Sequence, residues 1–181
     1  MIYVHLAEGF EEIEALTLVD VLRRADLPVK TVSIEKTLDV VGKSGISVKA
    51  DILFSEGDYN SCEMIILPGG QPGTSNLMNN EDLLKKIEEF HREDKYLAAI
   101  CAAPMILGEL GILAGKKATI YPGMESHLKQ GEYKDNPVVV DGKIITSQGP
   151  ATAMAFGLEI VGIMKGPEVK EVTGKGLLFK G

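Results

Sequence analysis

Four short apolar runs, at residues 2–6 (IYVHL), from Val29 (VKTVSIE), at 63–67 (EMIIL) and at 96–100 (YLAAI), alternate with segments of helical periodicity. Runs this short and this apolar read as buried strands rather than helices. Strands that alternate with helices along nearly a whole chain specify a parallel sheet covered by helices. In an open sheet of that kind, ligands gather outside the carboxyl ends of the strands.

The remaining segments fill in around those strands. Residues 11–25 read as a helix whose first-turn acids suit the positive end of its dipole. The stretch 38–54, with Gly42 and Gly45, is strand-like with a turn inside, and 80–92 is an amphipathic helix. Cys101 is expected to open a helix that runs to about Leu110. A short strand at 118–121 is stopped by Pro122-Gly123. Residues 138–140 and 143–146 form a β-hairpin around Asp141-Gly142. Gly149-Pro150 is expected to start a last helix reaching about Lys165. At 181 residues, a single domain over 1–181 is the expectation, large enough to bury a core without disulfide staples.

The net charge of −7 and the lack of any dense Lys/Arg cluster argue against nucleic acid as a partner, since phosphate binding needs a basic stripe. No apolar run is long enough to cross a membrane. The amino-terminal segment lacks the basic start and long apolar stretch of a signal peptide. Two cysteines, Cys62 and Cys101, make no disulfide framework, so a reducing cytoplasm is the expected compartment.

Three features fall at strand ends. Cys101 stands where YLAAI stops, and a helix N-terminus there would favour thiolate over thiol, the form that acts as nucleophile. A buried cysteine acting as a small hydrophobe fits the same position. Gly69 and Gly70, after EMIIL, either make a sharp turn or expose amides that, with the amide of Ala102, could cradle an oxyanion. In the first helix a carboxyl on the apolar side would be held neutral by burial and could shuttle protons. Glu14 and Glu11 both satisfy that description, and dipole compensation explains either. Of the histidines, His5 reads as packed, His91 as solvent-facing, and His127 as a residue that could assist a cysteine. No His/Cys cluster has metal-ligand spacing, and no phosphate loop or dinucleotide fingerprint is present. Gly42-Lys-Ser-Gly reads as a glycine turn.

Taken together, AEGFEEIEA, IILPGG, AAICAAP and TSQGPATA, in this order and spacing, resemble the ThiJ/PfpI superfamily. The resemblance is to the branch that holds the Parkinson-disease protein deglycase and its bacterial relatives, and it spans nearly the whole chain. It implies a flavodoxin-like three-layer sandwich (class I glutamine amidotransferase-like), in a homodimer. It implies that Cys101 is the nucleophile on a strained elbow and that Glu14, rather than Glu11, is its protonated partner. It further implies oxyanion amides from Gly70 and Ala102, with Gly149 and Pro150 lining the pocket.

The resemblance has departures. Many relatives carry a histidine where this chain has Tyr121, so Tyr121 or His127 would have to take over its work. Ala102 replaces the histidine of the protease-like branch, which argues against peptidase activity. No histidine follows His127, which excludes the amidotransferase arrangement. An arginine near the pocket of some relatives is replaced around Ser44. The activity implied is cysteine-dependent detoxification of reactive 2-oxoaldehydes, of the glutathione-independent glyoxalase or protein deglycase type, on a small carbonyl substrate and with no cofactor. The alternative is an oxidative-stress sensor or chaperone that acts through oxidation of Cys101.

Overall fold

The structure, a computed structural model, describes residues 1–180. In chain order its elements are β1 (Ile2–Leu6), α1 (Glu12–Arg24), β2 (Val29–Ser33), β3 (Asp39–Val41), β4 (Ser47–Lys49), β5 (Ile52–Leu53), β6 (Met64–Leu67), α2 (Gly73–Met78), α3 (Glu81–Arg92), β7 (Tyr96–Ile100), α4 (Pro104–Glu109), β8 (Lys117–Ala118), β9 (Glu132–Tyr133), β10 (Val138–Asp141), β11 (Ile144–Ser147), α5 (Ala153–Lys165) and α6 (Pro167–Gly176). Seven strands form one sheet in the order β10-β11-β7-β6-β1-β2-β5. Every neighbouring pair in it is parallel except the β10–β11 hairpin. β3 and β4 make a separate antiparallel hairpin, and β8 and β9 a short parallel pair.

The strands are buried on both faces because side chains alternate across the sheet. Ile2, Val4 and Leu6 of β1, Met64 and Ile66 of β6, and Ala98 and Ile100 of β7 join one core with α1 and α5. Tyr3 of β1, Ile65 and Leu67 of β6, and Leu97 and Ala99 of β7 join the other, with α3 and α4. This is the three-layer, mostly parallel sandwich expected for a flavodoxin-like chain. A fully buried Ile or Leu contributes about 1.5–3 kcal/mol. Exposed pairs such as Arg24–Asp20 contribute about 0.2–1 kcal/mol, so the two apolar layers carry the fold.

Several element ends differ from the sequence reading. Cys101 does not open a helix: residues 101–103 form a turn, and α4 begins at Pro104, whose fixed φ and missing N–H suit a first helical position. The strand expected at 118–121 is confined to Lys117–Ala118. Gly149-Pro150 leads into a 3-10 turn, Pro150–Thr152, before α5 starts. A further helix, α6, follows the break at Gly166, whose φ of 92° stops α5.

β1 feeds β2 on one side, while β6 and β7 continue the sheet on the other. The reversal of strand order therefore falls between β1 and β6. Their carboxyl ends, together with that of β7, open the crevice in which such a sheet builds its sites.

Candidate active site

Cys101 leaves β7 with φ of 64°, a left-handed conformation that costs a non-glycine residue about 1–2 kcal/mol. Three backbone hydrogen bonds hold it there. Its N–H donates to the Ser147 carbonyl (3.0 Å), its carbonyl accepts from the Tyr121 N–H (2.9 Å), and the next turn is closed by Ala103 N–H donating to the Ile100 carbonyl (3.0 Å). Strain of this kind persists only where surrounding contacts over-determine it, and it concentrates at functional positions.

Glu14 approaches from α1. It is fully buried, 0% exposed, and its Oε2 accepts a hydrogen bond from the Gly69 N–H at 2.7 Å. Its Oε1 is also buried and has no well-formed hydrogen bond, while the carboxyl lies close enough to the Cys101 thiol to interact with it. Gly69 makes this convergence possible. A Cβ there would stand 2.6 Å from the Cys101 Cβ, 2.8 Å from Glu14 Oε2 and 3.0 Å from the Ile100 carbonyl oxygen, so no side chain fits.

Burial pushes the Glu14 carboxyl up to about 7, against smaller downward influences from Cys101 and the Gly69 amide. With Glu14 ionised, burial and then the Glu14 charge push the Cys101 thiol up to about 12. The amides of Ala102 and Gly70 act in the opposite direction. The expectation that a helix N-terminus at Cys101 favours the thiolate is corrected at its premise: α4 starts three residues on, and the dominant local influences are burial and Glu14. Cys101 and Glu14 titrate as a pair, which holds a single proton between them above about pH 7. Moving that proton onto Glu14 removes the repulsion and leaves the two amides facing a thiolate.

Glu11 does not compete for this role. It sits at the N-cap of α1, where its carboxylate pairs with Lys43 (Nζ to Oε2, 3.3 Å). Glu12 is the buried acid beside it, and its Oε1 accepts from the Ser44 N–H at 2.8 Å. Two adjacent acids thus clip the turn of the β3–β4 hairpin to the start of α1. Lys43 is the residue that the sequence reading missed. The arginine of some relatives was expected to be replaced around Ser44, and a cation is nonetheless present from the neighbouring residue of the Gly42-Lys-Ser-Gly turn, close enough for its charge to be felt at Cys101 and Glu14. A lone lysine in a glycine turn gives no signal of this by itself.

The other expected residues divide. Gly149 lies against the Tyr121 ring, with 3.4 Å between its Cβ direction and Tyr121 Cδ2. Pro150 opens the 3-10 turn that Thr152 ties back through hydrogen bonds to Gly149 and Ser147. Tyr121 is thus joined to the Cys101 backbone on one side and to Gly149 on the other. His127 is not brought to the site. Its carbonyl packs on Gly108, in the last turn of α4. His5 is fully buried in the other layer, with Nε2 2.8 Å from the Tyr59 hydroxyl. Among the described residues no three His, Cys, Asp or Glu side chains group as metal ligands, and no helix is long and apolar enough to cross a membrane.

A doubly covered, mostly parallel sheet with a strained strand-end cysteine, paired to a buried glutamate at the topological switch, defines a class of α/β proteins. The chain belongs to the DJ-1/PfpI family, which its residues 1–163 match. It is 38% identical over 177 residues to DJ-1 homolog B of Arabidopsis thaliana, covering 95% of this chain but 40% of that protein. The chain likewise spans 45% of the Arabidopsis homolog A. It is 32% identical over 161 residues to a deglycase of Pyrococcus horikoshii (88% of this chain, 96% of the relative). To the glutathione-independent glyoxalase DJ-1 of Schizosaccharomyces pombe it is 30% identical over 166 residues, covering 86% of each chain. In three dimensions it superposes on oxidized DJ-1 of Toxoplasma gondii with a TM-score of 0.95, at 33% identity, over 99% of this chain and 98% of that one.

Proposed function

We propose that this protein converts reactive 2-oxoaldehydes to 2-hydroxy acids, with Cys101 as nucleophile and Glu14 as general acid/base. The observation that carries this reading is the buried Glu14 carboxyl, anchored through one oxygen to the Gly69 amide and free through the other beside the Cys101 thiol. A carboxyl held near 7 both accepts and returns a proton at neutral pH.

Sγ attacks the aldehyde carbon as the shared proton passes to Glu14. The C–S bond forms, and the carbonyl oxygen gains charge facing the Ala102 and Gly70 amides. Glu14 returns the proton to that oxygen, giving a hemithioacetal. Glu14 then takes the hydrogen from C1 and delivers it to C2, while the hydroxyl proton moves from O1 to O2. The product is a 2-hydroxyacyl thioester, which water cleaves to the hydroxy acid and restored thiol. The sum is aldehyde plus water to hydroxy acid, with no electrons gained or lost and no cofactor or glutathione required. An early glycation adduct would join the same course after one displacement: Sγ forms the C–S bond at the carbinol carbon, the C–N or C–S bond to the adducted amine or thiol breaks, and Glu14 protonates the group that leaves, giving the same hemithioacetal. Both cysteines are free, which suits a reducing cytoplasm. The exposed Ile13 and Leu16 of α1 give a homodimer apolar surface to cover.

The test is lactate formation from methylglyoxal without glutathione. Wild type is expected to turn over, and Cys101→Ala and Glu14→Gln to lose turnover. Retained turnover in Cys101→Ala overturns the reading. The second reading is the oxidation sensor, supported by a half-buried cysteine whose thiol lies beside a carboxyl and two backbone amides that could hold a sulfinate. Peroxide would add two oxygens to Cys101, each peroxide leaving as water. A wild type that shows this gain by intact mass while lacking aldehyde turnover favours the sensor.

A further inference from the structure

Tyr121 stands at the site without a task in the chemistry above. Its ring is 48% exposed, unusual for so large a side chain beside a buried centre. The backbone is nonetheless fixed: its N–H donates to the Cys101 carbonyl at 2.9 Å, and its carbonyl accepts from the Met124 N–H at 3.0 Å. One ring edge rests on Gly149, with Cδ2 and Cε2 at 3.4 and 3.8 Å from the position a Cβ would take. Among the described residues its hydroxyl has no protein partner, so nothing holds that oxygen in place for proton transfer. The ring is therefore positioned by its backbone, which is bonded to Cys101, and by Gly149, and it leaves exposed aromatic surface on that side of the site.

We propose that Tyr121 is a specificity-determining residue, an aromatic wall that favours 2-oxoaldehydes bearing a planar aromatic substituent over methylglyoxal. The proposal rests on the carbonyl reading above and narrows its substrate class. The aldehyde carbon must reach Sγ, so the substituent on the adjacent ketone extends away from Cys101. A methyl group gains little from a ring there. A phenyl group can stack or meet it edge-to-face, an interaction that corresponds to about a 2–10-fold preference. A wall acts through the ring alone, so Phe should replace Tyr.

The experiment compares wild type, Tyr121→Ala and Tyr121→Phe. Truncating a half-exposed ring empties no core, and the backbone bond to Cys101 is kept. The first readout is the ratio of kcat/KM for phenylglyoxal to that for methylglyoxal. The second is the ratio of Cys101 alkylation rates by phenacyl chloride and chloroacetone, followed by peptide mass; there an S–C bond forms, chloride leaves and the thiol proton is released. Both ratios are expected to fall about 2–10-fold in Tyr121→Ala and to stay near wild type in Tyr121→Phe. Unchanged ratios in Tyr121→Ala overturn the wall, and so does a Phe variant as altered as Ala, since the hydroxyl would then be at work. If neither aldehyde turns over while the alkylation ratio shifts, the wall stands and the carbonyl reaction falls. If turnover is present and neither ratio shifts, the reverse holds.

Discussion

Replacing Glu14 with Gln should stabilise the protein at pH 8 while removing its chemistry. The reasoning starts from the buried carboxyl, which is held at about 7 instead of the ordinary 4.5 because its charged form is desolvated. A folded-state value above the unfolded one means that the folded protein binds the proton more tightly. The associated stability is fully present below pH 4.5 and is lost as pH rises through 7. The difference corresponds to about 3 kcal/mol across that window. Gln keeps the shape, and its carbonyl can still accept from the Gly69 N–H, but it never ionises. The Glu14→Gln variant should therefore match or trail wild type at pH 4.5 and exceed it by about 2–3 kcal/mol at pH 8. For a chain of this length that is roughly 4–12 °C in Tm. Urea unfolding of both proteins at the two pH values measures the difference directly. A stability gap that is the same at pH 4.5 and pH 8 would refute the claim that burial dominates at Glu14.

Three further expectations follow from the same geometry. The kcat/KM of wild type should rise with pH through about 7, as the pair reaches its singly protonated form, and Glu14→Gln should lose that limb along with its activity. Gly69→Ala should cost about 1–3 kcal/mol in urea unfolding and about 100-fold in turnover, because the added Cβ would press on Cys101, Glu14 and the Ile100 carbonyl together; Gly176→Ala, where nothing lies within 4 Å, is the control, and equal Tm and rates in both variants would contradict the crowding argument. His5, fully buried, is held at about 3 by desolvation, so it contributes stability that is present above about pH 6.5 and is lost as pH falls toward 3. Replacing His5 and Tyr59 together with Phe should flatten the pH dependence of unfolding in that range.

Much of this was legible in the sequence where physics is local. Apolar runs such as EMIIL and YLAAI became central strands because no other element buries such short segments on both faces. Cys101 and LPGG were placed at strand ends by those same runs. The helix wheel could not separate Glu11 from Glu14, because the distinction lies in what each acid meets: Lys43 of a hairpin turn for one, and the Gly69 amide with the Cys101 thiol for the other. The surroundings of Cys101 were legible only in part from its neighbours: a helix N-terminus was expected there, whereas α4 starts at Pro104, and the pairing with Glu14 came from the resemblance rather than from local pattern. The early end of the strand at Ala118 has a comparable cause. Beyond Thr119, whose N–H donates to the Thr146 side chain, the backbone is claimed by Cys101 through Tyr121 rather than by a neighbouring strand.

The Ser147 carbonyl that fixes the Cys101 N–H lies on β11, the last strand to be synthesised. A chain growing from its amino end therefore carries Cys101 for some time before it carries the partner that holds the left-handed turn. Until β11 docks beside β7, the cysteine is free to relax out of that turn and away from the buried glutamate. The arrangement that pairs Cys101 with Glu14 is thus a property of the completed sheet, and any reactivity that depends on it would be lost with β11.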